Sequence, residues 1–75
     1  MMSIEQRARQ VVLATLGIEG PATGDFSRET VAGWDSLKHV ALIFAIEDEF
    51  DVQFSEEQMA SLASLSAIVE AIDAA

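Results

Sequence analysis

Apolar residues recur with helical spacing in four stretches of this chain, and the breaks between them carry recognisable stop and start chemistry. Ile4, Ala8, Val11, Val12, Thr15 and Leu16 follow a period near 3.6,. Ser3 and Gln6 have capping-box spacing in front of them, and Gly17 supplies a stop behind,. From Gly17 to Trp34 the pattern lapses. Gly17, Gly20, Pro21, Gly24 and Gly33 mark a long connection, with Phe26 and Val31 as its expected anchors on the core,. Asp35 can accept first-turn N–H groups and so opens a second helix, expected over Ser36 to Phe50,. Ser55 and Gln58 repeat the capping-box spacing and start a short third helix ending near Leu62. Leu65, Ile68, Val69 and Ile72 mark a fourth,. The pattern predicts an all-α four-helix bundle with a long loop between helices one and two and a short third helix. Residues 1–75 read as a single domain, without internal repeat, low-complexity tract or linker, which gives the expectation of a freestanding protein,.

The second helix distributes its side chains unusually. At about 100° per residue, Leu42, Ile43, Ile46 and Phe50 share one side, the width a helix normally buries,. Leu37, Val40, Ala41 and Phe44 lie on another side, together with Ser36, Glu47 and Asp48,. Two accounts fit the second apolar face: a central helix packed on both sides, or a docking stripe. Glu47 and Asp48 favour the stripe, because carboxylates are costly to bury without partners. Apolar residues rimmed by acids suit a basic, greasy groove on a partner.

Charge narrows the class of partner. Asp and Glu number 13 against 4 Lys and Arg, a formal net charge of -9. Such a chain repels nucleic acid and anionic lipid, and its partners should present basic patches. Self-repulsion of this size predicts a melting temperature that rises with added salt or divalent cations. The longest apolar run, Val40 to Ile46, is too short to cross a bilayer, so no membrane insertion is expected,. Met1 to Glu5 lacks the features of a secretion signal, and there is no cysteine, which together predict a reducing cytoplasm,. A chain of 75 residues leaves little room for a substrate pocket with its own catalytic shell,. Ser36 and His39 on one helix do not form a hydrolase elbow,. Glu47, Asp48, Glu49 and Asp51 lack the central glycine of a calcium loop and interleave Phe50, so no metal site is expected,.

Gly33-Trp34-Asp35-Ser36-Leu37 at a helix start, followed by an apolar helix ending Ile46-Glu47-Asp48-Glu49-Phe50, resembles the modification site of acyl carrier proteins. The resemblance covers nearly the whole chain. It implies a non-catalytic, monomeric carrier whose cofactor is 4'-phosphopantetheine, transferred from coenzyme A to Ser36 within the Asp35-Ser36-Leu37 motif. Acyl-type cargo would then be held as a thioester on the arm. It further implies a phosphopantetheinyl transferase and loading and processing enzymes as partners, docking on Val40, Ala41, Phe44, Glu47 and Asp48. Aminoacyl, D-alanyl and peptidyl carriers share the architecture, and an unmodified helical interaction module is the reading from a different class. The helix start is physically suited to the modification, since the positive end of the helix dipole favours an anion there.

Lys38 and Ala41 stand where fatty acid carriers often have acids, which points to a dedicated secondary or specialised pathway. His39 could touch the arm or be a half-buried residue with a satisfied ring. Trp34 could shield the attachment point or anchor the loop.

Overall fold

A computed structural model describes residues 3–20 and 24–75; Pro21 and the Met1-Met2 start lie outside them. Four helices follow in order: α1 over Ile4–Leu16, α2 over Ser36–Phe50, α3 over Glu56–Ser61 and α4 over Leu65–Ala74. The expected capping boxes form at α1 and α3. Ser3 Oγ accepts the Gln6 N–H at 3.1 Å while Gln6 Oε1 accepts the Ser3 N–H at 3.1 Å. Ser55 and Gln58 repeat the exchange at 3.1 and 2.9 Å. Gly17 ends α1 with φ 69°, the left-handed conformation that costs glycine least, and its N–H closes onto Ala14 O,. Asp51 ends α2 in the same region with φ 54°, where a short polar side chain is tolerated,.

α1 packs against α2 and α4, and the apolar faces of all three meet in one core. Leu42, Ile43 and Ile46 of α2 are fully buried with Val12, Leu65 and Ile68, the close-packed centre expected from helical period,. Phe50 packs against this core but is only half-buried, and its ring lies beneath the Arg7 guanidinium, 4.6 Å from its centroid,. Arg7 in turn pairs with Glu49 at 2.9 Å.

From Gly24 onward the long connection is stitched down. Phe26 is buried and Val31 packs against the core, as expected of loop anchors. Phe26 O accepts the Leu65 N–H at 3.0 Å, and Ser27 makes an isolated antiparallel bridge to Ser64. Asp25 accepts from the Ser66 N–H and Ser66 Oγ, both at 2.9 Å. These bonds hold the Asp25 carboxyl below its ordinary 3.8, the Ser66 N–H contributing most,. Arg9, buried on α1, donates to Gly24 O at 2.6 Å and pairs with Glu5 one turn away. The consequence for the site is a segment pinned over Gly24 to Arg28, from which the chain runs on to Trp34 and Asp35 at the start of α2.

Candidate functional site

The site is the first turn of α2 and the stripe that leaves it. Asp35 is the N-cap, in extended conformation, and its Oδ1 accepts the Lys38 N–H at 2.9 Å. Ser36 follows as the first helical residue and is exposed. Its N–H and that of Leu37 find no protein acceptor among the described residues, as the geometry of a first turn requires,. These donors and the positive helix pole lie beside an open hydroxyl, so an anion esterified there would be favoured. Arg28, from the loop, donates from Nη2 to Ser36 Oγ at 3.0 Å.

The residues flanking Ser36 in the first turn rest on a buried pair, Trp34 and His39. Trp34 is 3% exposed and donates its indole N–H to His39 Nδ1 at 3.0 Å. With Nδ1 accepting, the imidazole proton sits on Nε2 and is donated to Met59 O, 2.7 Å away,. Phe26 meets the indole edge-on, with ring centroids 6.2 Å apart,. Trp34 is therefore a loop anchor, and His39 is a buried residue with both ring nitrogens engaged. Together they bridge the start of α2 to the backbone of α3.

The second face of α2 stands open in this structure. Leu37 is 83% exposed, Val40 54% and Phe44 58%, large apolar side chains spaced at i, i+3 and i+7,. Ala41 and Asp48 are exposed with them. Packing on both sides of α2, the competing account of this face, is not what is seen. Glu47 behaves differently from its neighbour: it is half-buried, and Oε2 accepts the Phe54 N–H at 2.8 Å. The bend between α2 and α3 leaves a backbone donor that Glu47 satisfies, so its carboxylate is held more closely than that of Asp48,. Lys38 reaches back toward the C-terminus of α1, its Nζ 3.5 Å from Thr15 O, where a cation is favoured by the helix dipole.

The sequence reading missed Arg28. One signal was available: it is among only 4 basic residues in an acidic chain, in the loop eight positions before Ser36. Nothing local said where its side chain would reach. Among the described residues no helix is long and apolar enough to cross a membrane, and no group of acids and histidine is placed to hold a metal ion.

The four-helix order, the capped serine and the loop before it agree with a family model described as a phosphopantetheine attachment site, which matches residues 6–72. Ser36 and its surroundings fit the group that this family carries, since the residue is exposed, shares its turn with N–H donors that have no protein acceptor among the described residues, and has a guanidinium on its hydroxyl. On this match the chain belongs to the phosphopantetheine-attachment family, non-catalytic carriers that work with a phosphopantetheinyl transferase and present a covalently attached substrate to processing enzymes.

Proposed function

We propose that Ser36 is the attachment point of 4'-phosphopantetheine and that the arm carries acyl-type intermediates as thioesters. The exposure of the Ser36 hydroxyl in the first turn of α2 carries this reading. When bound, the arm supplies the thiol that a chain without cysteine lacks. On loading, Ser36 Oγ bonds to the phosphorus that bears the pantetheine while that phosphorus separates from the nucleotide half of coenzyme A. The serine proton goes to a general base in the complex with the transferase; His39, the one histidine of this chain, is buried with both ring nitrogens in use and is not that base,.

Val40, Ala41, Phe44 and Asp48, with Leu37 at the head of the stripe, form the docking face for the transferase and the cargo-handling enzymes. Glu47 contributes through the shape of the following bend as much as through its charge. Lys38 and Ala41 leave the upper part of this face without acids, so its partners there are met by apolar contact and by basic groups only near Asp48,. That distribution supports a dedicated secondary pathway rather than bulk lipid synthesis. Mass spectrometry of the protein from its native host identifies the cargo, and an aminoacyl, D-alanyl or peptidyl adduct would replace the acyl reading.

The attachment itself is tested by incubating the apo protein with coenzyme A and a broad-specificity phosphopantetheinyl transferase. Wild type gains the mass of the arm and Ser36→Ala does not. An unchanged wild-type mass beside a control carrier that loads would leave an unmodified interaction module.

A further inference from the structure

The four cations of this chain are unequally placed. Arg7 and Arg9 pair with Glu49 and Glu5, and the ammonium of Lys38 reaches back to the C-terminus of α1. Arg28 has no carboxylate within ion-pair distance among the described residues, despite the excess of acids, and spends its one side-chain hydrogen bond there on Ser36 Oγ. Its backbone is held from both directions. The Arg28 N–H donates to Ala63 O at 2.8 Å, and the turn behind it is closed by the Thr30 and Val31 N–H groups on Ser27 O, both at 3.0 Å. The Thr30 hydroxyl reinforces the same turn through the Ser27 N–H at 3.1 Å.

A guanidinium has about five N–H donors in a planar fork, and one of them meeting the serine oxygen leaves the others facing the space around that atom. Esterification of Ser36 puts two non-bridging oxygens, sharing one negative charge, on the phosphorus bonded to Oγ, inside the reach of that fork. We infer that Arg28 is a positioning residue for the phosphodiester, holding the root of the arm against the loop and restricting its swing until a partner docks. This rests on Ser36 being the attachment point. The pair is exposed, so the hold is modest and salt-sensitive, as a tether that must be released requires. Arginine suits this better than lysine because its fork fixes direction as well as charge.

The test uses holo protein driven to complete loading, verified by intact mass, for wild type, Arg28→Gln and Arg28→Lys. In 31P NMR at low salt, the Arg28→Gln resonance should move away from wild type toward that of a phosphopantetheinyl-serine peptide, with Arg28→Lys in between. The gap between wild type and Arg28→Gln should close as salt is added. The holo-minus-apo difference in melting temperature should fall by about 2–5 °C in Arg28→Gln; taking that difference cancels any structural effect of the substitution on the apo fold. A phosphorus resonance and a holo-minus-apo difference both unchanged in Arg28→Gln would overturn the role of Arg28 while leaving the attachment intact. A wild type that gains no mass removes the attachment reading and this one with it.

Discussion

The starts of α1 and α2 face the same problem, unpaired N–H groups at a positive helix pole, and answer it differently. At α1 a serine and a glutamine close a reciprocal box, and Glu5 adds a carboxylate in the first turn. At α2 the cap is Asp35, the third helical residue is Lys38, which cannot reach back as an acceptor, and the first turn holds no acid,. α3 follows α1, with Ser55, Gln58, Glu56 and Glu57. Identical serines therefore do opposite jobs. Ser3 and Ser55 turn their hydroxyls inward to the backbone, whereas Ser36 sits one position later, in the first turn itself, with its hydroxyl left to Arg28 and solvent. The complete caps stabilise; the incomplete one leaves a pole that can receive an anion.

Substitution at each serine is the largest test of that contrast. Ser36→Ala should abolish loading with little change in melting temperature, while Ser3→Ala and Ser55→Ala should load at the wild-type rate. Each of those two should cost about 1 kcal/mol, read as a melting temperature lower by about 4–8 °C. A loading defect in Ser3→Ala would break the separation of roles.

A second pair divides the acidic end of α2 in the same way. Glu47→Ala leaves the Phe54 N–H without its acceptor in a half-buried setting and should cost about 1–3 kcal/mol in denaturant unfolding,. Asp48→Lys should leave unfolding nearly unchanged and slow transferase loading, because Asp48 is exposed and is the acid left free on the docking face,. Equal loading rates for wild type and Asp48→Lys would remove Asp48 from that face.

The smallest effect concerns α4, whose start borrows a carboxylate from the loop. Asp25 is held below its ordinary 3.8 chiefly by the Ser66 N–H and by the Ser66 hydroxyl. The folded chain binds that proton less readily than the unfolded one, so the stabilisation is complete above the ordinary value and is lost as pH falls through the lower folded one. Asp25→Asn should flatten the acid limb of stability below about pH 4 and leave neutral loading untouched. An acid limb identical to wild type would dismiss Asp25 as a contributor.

The helices were legible because their signals are local. Ser3 with Gln6, Ser55 with Gln58 and the periodic core residues of α2 and α4 all speak within one or two turns,. The exposed stripe of α2 was legible as a second apolar face, with the choice between packing and docking left to tertiary structure. Arg28 on Ser36, Glu47 on the Phe54 N–H and Asp25 on Ser66 were not legible, since each depends on the path of a connection. The last of these joins residues 41 positions apart. Phe50 packs against the core less deeply than its neighbours on that face, and His39 takes the reading with a satisfied ring, its depth set by where Trp34 lands.

Trp34 is the one tryptophan of a chain without tyrosine, and it lies two residues from Ser36. Its ultraviolet emission thus comes from a single buried fluorophore. With the indole N–H tied to His39 and the ring enclosed by Phe26, the spectrum should be blue-shifted while the loop is seated and move red if a partner lifts it. Seating of this loop should therefore be readable optically against a partner without tryptophan, with no dye added to the protein.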